Sequence, residues 1–177
     1  MRSRGVRSLI GSLLLAGLLA SALLHAGNDG GGGGGAPVAE PEGPTAEAQV
    51  TRVIDGDTIE VRISGGEDEV RYIGIDTPET VKPDTPVQCF GPQASTENHR
   101  LVDGRQVRLV FDRERRDIYG RLLAYVYTGD GFVNARLVRG GYARTLTIAP
   151  NTAHAGLFHR LAQDAGRAGR GLWGVCS

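Results

Sequence analysis

A strict alternation of apolar and polar side chains runs through residues 59–63, where Ile, Val and Ile are separated by Glu and Arg. A period of two residues is typical of a β-strand with one buried face. The run at 50–54 precedes this strand across an Asp-Gly pair at 55–56, and the run at 70–75 follows it across a Gly-Gly pair at 65–66. Both pairs favour tight hairpin turns. This part of the pattern therefore predicts three antiparallel strands in a meander.

Two further strands and three helices are predicted in the second half of the chain. Alternation at 107–111 and at 123–127 indicates the fourth and fifth strands. A helix over 92–102 has Pro in its first turn, and Asn134 is predicted to cap a short second helix. A last helix covers about 152–168. Its predicted buried face consists of Leu157, Phe158, Leu161 and Ala165. The pattern indicates a small α+β domain and by itself does not choose among such layouts.

The N-terminal part of the chain has a different composition. Three arginines precede sixteen apolar and small residues at 9–24, which is typical of a secretory signal. A permanent membrane span needs ~20 apolar residues, so we interpret 1–26 as a cleaved signal peptide, with an uncleaved anchor as the alternative. Residues 27–47, rich in Gly and Pro, are predicted to be a flexible linker. Residues 48–177 then form one domain, secreted or extracytoplasmic, and membrane-anchored only if the signal is retained.

The charge balance argues against binding of nucleic acid through overall charge. The whole chain has 20 basic and 20 acidic residues. The signal segment holds three of the bases and none of the acids, and the linker holds four of the acids, so the domain has 17 bases and 16 acids. Any affinity for a polyanion must therefore be local. The candidates for a local patch are Arg113, Arg115, Arg116 and Arg121. A solvated surface is the alternative interpretation of this run.

Cys89 and Cys176 are the two cysteines of the chain. Since exported proteins form disulfides, we predict a bond between them, with two buried free thiols as the alternative. Closing this loop of about 87 residues would stabilise the fold by up to ~4 kcal/mol. His99, His154 and His159 do not follow zinc-finger spacing. His154 and His159 are expected at the surface.

Three short motifs carry candidate chemistry. They are Asp55-Gly56-Asp57-Thr58, then Arg71 followed by Asp76-Thr77-Pro78-Glu79, then Asp117-Ile118-Tyr119-Gly120-Arg121. Turn chemistry alone explains the first two motifs when each is taken singly. Together the three supply hard oxygen ligands, a candidate base and two guanidinium groups, the equipment of metal-assisted phosphodiester hydrolysis. In order and approximate spacing the motifs resemble those of the staphylococcal nuclease (thermonuclease) family, over about residues 48–173.

The resemblance implies both a fold and a metal site. The implied fold is α+β and mainly β: a five-stranded Greek-key barrel of the oligonucleotide-binding type (OB-fold) with three helices. Asp57 and Asp76 would bind one Ca²⁺, helped by the backbone carbonyl of Thr77. Few protein carboxylates, with waters left in place, suit this hard cation. Glu79 would be the base that activates the attacking water, although a carboxylate there could equally orient water without taking its proton.

The resemblance also implies groups that contact the phosphate. Arg71 and Arg121 would hold the non-bridging oxygens of the transition state, a surface ion pair being the alternative for each. Tyr119 matches a tyrosine that contacts a nucleotide phosphate, and a core aromatic is the alternative. The chain departs from the family pattern at Ile118, where a Lys assists phosphate binding. Residues 144–149 also lack the tyrosines that stack on the base, so weaker substrate binding is expected.

We therefore expect an exported, calcium-dependent nuclease that hydrolyses DNA and RNA with low sequence specificity and leaves 3′-phosphates. A monomer is expected, and no protein partner is implied. One alternative is a catalytically inactive OB-fold module that binds nucleic acid or a protein. Another is a tethered module with a structural Ca²⁺, which would keep Asp57 and Asp76 without needing Arg121.

Overall fold

The computed structural model describes residues 43–80 and 86–176. The predicted signal peptide at 1–26 and most of the predicted linker lie outside the described residues. Within the two described ranges, none of the helices combines the length and apolarity that a membrane crossing requires. The first strand begins at Thr45, inside the segment predicted to be linker.

The strands and helices follow one another along the chain as a mixed α+β arrangement. The strands are β1 (Thr45–Val53), β2 (Thr58–Ile63), β3 (Gly66–Tyr72), β4 (Gly74–Asp76), β5 (Gln106–Val110), β6 (Leu122–Thr128), β7 (Gly131–Phe132) and β8 (Arg144–Leu146). The helices are α1 (Gly91–Val102), α2 (Val133–Gly140), α3 (Ala155–Arg167) and the short α4 (Leu172–Val175). The three longer helices match those predicted.

Five of the strands close into a barrel. β1, β2 and β3 form the predicted antiparallel meander. β5 then pairs with β1 on its other side, and β6 pairs with β5. Parallel pairing of β3 with β6 closes the barrel. The predicted OB-fold barrel with three helices is therefore confirmed.

The strand β6 is buried on both faces, whereas simple alternation was predicted for it. Leu123 is half-buried, and every side chain from Ala124 to Tyr127 is buried. One face of β6 points into the barrel, while α2 packs against the other. The prediction of one exposed face is wrong for this strand, because helices cover its outer surface and bury the side chains there.

Asn134 does not cap α2, so that prediction is wrong. Phe132 occupies the N-cap position. The Asn134 side chain is fully buried; its Oδ1 accepts a hydrogen bond from the Val126 amide at 3.0 Å, and its Nδ2 donates to the Ile73 carbonyl at 2.9 Å. These bonds fasten α2 to the barrel by satisfying backbone groups that would otherwise be buried without partners.

His154 is buried rather than exposed, which corrects the prediction for this residue. It precedes α3, and its ring lies against those of Tyr125, Phe132 and Phe158. Burial lowers the pKa of His154 and so favours the neutral imidazole. His159 is exposed, as predicted.

The predicted disulfide between Cys89 and Cys176 is present, with an S–S distance of 2.06 Å. The interpretation as two free thiols is therefore wrong. The bond ties the segment before α1 to the residue that follows α4.

A sharp turn at Gly74 directs β4 away from the barrel, and β4 pairs there with β8. Gly74 has φ +81°, and a Cβ at this position would lie 2.5 Å from the Phe158 ring. Only glycine meets both demands. The turn brings Asp76, at the end of β4, back beside Arg71 of β3.

Candidate active site

The three sequence motifs meet in one cleft of about 570 Å³ at the edge of the barrel. The turn between β1 and β2, the end of β3, the end of β4 and the turn before β6 supply its walls. The lining residues are Asp55, Asp57, Thr58, Glu69, Arg71, Asp76, Thr77, Glu79, Tyr119 and Arg121. Every residue predicted for the metal, for catalysis and for the phosphate contact lies in this set. Glu69 was not predicted, since a half-buried Glu within a strand carries no local signal.

Asp57 is buried at the back of the cleft, with 3% of its surface exposed. Its Oδ2 accepts a hydrogen bond from the Thr77 amide at 2.7 Å, and its Oδ1 accepts one from the Thr58 hydroxyl at 3.2 Å. A Cβ at Gly56 would lie 2.6 Å from the Thr77 hydroxyl oxygen, so this close approach requires glycine. The first two motifs are therefore packed directly against each other.

Burial raises the pKa of Asp57 to about 7. The Arg71 guanidinium opposes this shift, while the carboxylates of Asp55 and Asp76 reinforce it. Charge in a buried site is unfavourable unless an opposite charge compensates it. One guanidinium does not fully supply that compensation, so the site favours a second cation.

Arg71 lies between two carboxylates of the cleft. Its Nη1 is 3.0 Å from Asp57 Oδ2, and its Nη2 donates to Asp76 Oδ1 at 2.8 Å. The side chain is only 15% exposed, and Nη1 also donates to the Ile75 carbonyl at 3.0 Å. Arg71 is therefore held within the cleft, and the interpretation as a surface ion pair does not describe it. The Asp76 side chain is about half exposed.

Glu79 is positioned through its backbone by Gln88. The Glu79 amide donates to Gln88 Oε1 at 3.0 Å, and the Gln88 amide donates to the Glu79 carbonyl at 2.9 Å. A Cβ at Gly91 would lie 2.9 Å from the same carbonyl oxygen, so α1 also begins directly against this segment. No sequence pattern indicated Gln88, because its partner is set by the path of the chain.

Arg121 is held by the turn that precedes β6. Its Nε donates to Asp117 Oδ2 at 2.7 Å, while Asp117 Oδ1 accepts from the amides of Tyr119 and Arg121. Its Nη1 lies 3.6 Å from Glu69 Oε1. The guanidinium also lies 5.4 Å from the centre of the Tyr119 ring. Tyr119 is 77% exposed, so the interpretation as a core aromatic is wrong.

The predicted arginine cluster does not form a single patch at the cleft. In the described part of the chain, Arg121 alone of the four lines it. Arg116 pairs with Asp68 at 2.6 Å, and Arg115 lies 4.2 Å from the centre of the Phe111 ring. The solvated-surface interpretation therefore applies to Arg116 and Arg115.

An apolar depression of about 390 Å³ adjoins the cleft and shares Arg71, Tyr119 and Arg121 with it. Leu146 and Ile148 form part of its wall and are exposed. Aliphatic side chains thus stand in the stretch where the sequence lacks tyrosines. Aliphatic side chains can pack against the face of a nucleotide base, but they do not provide the aromatic stacking of a tyrosine ring.

The donor set of the cleft fits a hard divalent cation. Its lining has five carboxyl groups against two guanidinium groups, so that negative charges exceed positive ones by three when all five are ionised. Among the described residues no group of three or more His, Cys, Asp or Glu side chains is arranged to hold a metal by itself. Ca²⁺ does not need such a group, because carbonyls, water and substrate oxygens can complete its shell.

Comparisons with known proteins agree with this geometry. The family model described as Staphylococcal nuclease homologue matches residues 69–175. The chain is 44% identical over 124 residues to the thermonuclease of Staphylococcus intermedius, covering 70% of this chain and 74% of the relative. It is 42% identical over 125 residues to the thermonuclease of Staphylococcus hyicus, with coverage of 71% and 74%. Endonuclease YncB of Bacillus subtilis (strain 168) is 44% identical over 124 residues, with coverage of 69% and 59%.

Proposed function

The chain belongs to the staphylococcal nuclease family, and on that premise we propose that this nuclease is exported and depends on Ca²⁺. Its proposed substrates are DNA and RNA, cleaved with low sequence specificity to leave 3′-phosphates. It is proposed to act as a monomer.

The observation that carries the calcium proposal is the charge of the cleft. A phosphodiester is an anion, and it would enter a site in which carboxyl groups outnumber guanidinium groups by three. Asp57 and Asp76 would hold the cation together with the Thr77 carbonyl. When bound, the ion supplies positive charge to a phosphoryl oxygen as negative charge develops there.

The remaining groups of the cleft would act directly on the substrate. The Glu79 carboxylate would accept a proton from the attacking water. The water oxygen would bond to phosphorus as the bond from phosphorus to the 5′-oxygen breaks. The 5′-oxygen would leave as a hydroxyl after taking up a proton from solvent, and the phosphate would stay on the 3′-side. Arg71 and Arg121 would donate to the non-bridging oxygens, where a planar guanidinium provides two-point contact.

Low sequence specificity is supported by the apolar depression beside the cleft. Leu146 and Ile148 offer apolar contact there, which any base accepts. Tyr119 lies at the boundary between depression and cleft, where it would contact a phosphate.

Export is supported by two independent features. Residues 1–26 have the composition of a secretory signal, and the Cys89–Cys176 disulfide is of the kind that persists in oxidising compartments. The intact mass of the protein recovered from the culture medium tests this proposal. Export with cleavage predicts loss of about the first 26 residues, whereas recovery of the intact chain from membranes would favour the anchor.

The calcium proposal is tested by degradation of single-stranded DNA by the purified protein with Ca²⁺, with Mg²⁺ and with the chelator EGTA. We expect cleavage with Ca²⁺ and little with Mg²⁺, because Mg²⁺ demands tighter octahedral geometry. Full activity in excess EGTA contradicts the proposal. Binding of DNA without cleavage under every condition would favour the inactive OB-fold module.

A further inference from the structure

A second groove lies on the surface formed by α1, α2, α3 and the segment after α3. It consists of two adjoining depressions, of about 520 and 450 Å³, which meet at Glu97 and Tyr142. Among the described residues, the groove and the active-site cleft have no lining residue in common. One end of the groove is cationic and the other is aromatic.

The cationic end carries three guanidinium groups without an acidic partner. In the described part of the chain, none of them forms an ion pair with a carboxylate. These are the side chains of Arg136, Arg139 and Arg170. Acidic residues that line or adjoin this end are each paired with another arginine. The pairs are Glu97–Arg100, Asp130–Arg105 and Asp164–Arg167. Arg136 instead donates to the Asp130 carbonyl at 3.3 Å, and Arg170 donates to the Arg139 carbonyl at 2.9 Å. The three guanidinium groups thus outnumber the two carboxylates that line this end, Glu97 and Asp164, and both of those are paired with arginines outside the lining.

The aromatic end is formed around the rings of Tyr142 and Phe90. The Tyr142 ring lies across Gly140, where a Cβ would be 2.6 Å from the ring. The centres of the Tyr142 and Phe90 rings are 5.6 Å apart, with 30° between their planes. Both side chains are half-buried. Cationic side chains beside aromatic rings are the usual equipment for binding single-stranded nucleic acid.

The aromatic end is close to the segment that carries Glu79. Phe90 directly precedes Gly91, and a Cβ at Gly91 would lie 2.8 Å from the Thr80 methyl group and 2.9 Å from the Glu79 carbonyl oxygen. A nucleic-acid strand that left the cleft on the Glu79 side would meet the two rings before the three arginines. The three arginines lie farther along the same groove.

We propose that this groove binds the single-stranded part of the substrate beyond the bond that is cut. Phosphates would contact Arg136, Arg139 and Arg170, and a base would stack on Tyr142. This inference rests on the proposed nuclease function and narrows its substrate class: single strands long enough to reach the groove are bound better than dinucleotides.

The test compares two substrates and two charge-matched variants of the full chain. The substrates are an oligothymidylate of about 20 nucleotides, long enough for an extended binding site, and a thymidine dinucleotide. The groove variant combines Arg136→Gln, Arg139→Gln and Arg170→Gln. The control variant combines Arg52→Gln, Arg62→Gln and Arg115→Gln, three exposed arginines outside the groove.

The groove variant should raise KM for the oligomer several-fold, with kcat and all dinucleotide kinetics unchanged. Loss of three phosphate contacts should also reduce the slope of log affinity against log salt by about 2. The control variant should behave like the wild type. Tyr142→Leu, which keeps an apolar contact with Phe90, should also raise KM for the oligomer alone.

The inference would be overturned if KM for the oligomer were unchanged in both the groove variant and Tyr142→Leu. Equal effects of the groove and control variants, or equal effects on both substrates, would also overturn it. A wild-type protein without nuclease activity contradicts the proposed function instead. Fluorescence anisotropy of the labelled oligomer then tests the groove alone, and loss of binding in the groove variant but not in the control supports it.

Discussion

Arg121 distinguishes an enzyme from a binding module at the scale of single residues. Its guanidinium is oriented by Asp117 and faces the cleft. If it meets charge that develops in the transition state, Arg121→Ala should lower kcat by ~10² or more. Arg121→Lys should recover little, since an ammonium group loses the planar two-point contact. Steady-state kinetics on variants with matched thermal midpoints provide the measurement.

Arg115→Ala is the matched control for this prediction. Arg115 lies nearby in sequence but over the Phe111 ring, outside the cleft. It should keep wild-type kcat. A wild-type kcat in Arg121→Ala would contradict the catalytic role and favour the alternative of a module with a structural Ca²⁺.

The second prediction at this scale concerns the pH dependence of calcium binding. The pKa of Asp57 is raised to about 7 in the metal-free cleft, and Ca²⁺ requires the ionised carboxylate. Above pH 7 the carboxylate is ionised without metal; below pH 7 a proton must leave when the metal binds. Calcium affinity should therefore fall by up to ~10-fold per pH unit below 7.

Calorimetric titration with Ca²⁺ at pH 8, 7 and 6, in two buffers of different ionisation enthalpy, measures both affinity and proton release. Asp55→Asn is a useful comparison, because Asp55 reinforces the pKa shift of Asp57 and its removal should weaken the pH dependence. An affinity that is constant from pH 8 to pH 6 would show that Asp57 is not the titrating ligand.

At the scale of elements, the segment between β4 and α1 determines where Glu79 sits. Gln88 accepts from the Glu79 amide through Oε1. Gln88→Ala removes this acceptor and should lower kcat about tenfold with little change in KM, because small displacements of a catalytic group slow the chemical step. Gln88→Glu retains an acceptor oxygen and should restore most of the activity. The readout is the separate change in kcat and in KM.

Gln163→Ala, on the exposed surface of α3, controls for loss of a glutamine side chain as such. An effect of Gln88→Ala on KM alone, or no rescue by Gln88→Glu, would show that Gln88 does not position the base.

At the scale of the whole molecule, the disulfide joins the active-site side of the domain to its C-terminal end. Cys89 follows Gln88 directly, and Cys176 follows α4, at a sequence separation of 87. Cys89→Ser with Cys176→Ser should lower the free energy of unfolding by up to ~4 kcal/mol, since the unfolded chain regains the entropy of an open loop.

Denaturant unfolding of the oxidised wild type, the reduced wild type and the double variant checks this prediction. Reduction and substitution should produce the same shift. Equal free energies of unfolding for all three proteins would mean that the disulfide does not stabilise the fold by constraining the unfolded chain.

The sequence alone determined features that depend on short stretches of chain. Alternation at 59–63 defined β2, and the Asp-Gly and Gly-Gly pairs defined its hairpins. The spacing of the three motifs was sufficient to identify Asp57, Arg71 and the other predicted site residues of the cleft through their family resemblance. These signals are local because backbone periodicity and turn geometry act over a few residues.

Tertiary structure decided which residues face one another across the fold. Asn134 looked like a helix cap and instead satisfies buried backbone groups of two distant segments. His154 looked like a surface residue and lies among aromatic rings. Gln88 and Glu69 reach the active-site region without any local signal. Their partners depend on barrel closure and helix packing, which bring together residues far apart in the chain, and no pattern within a short window encodes that juxtaposition.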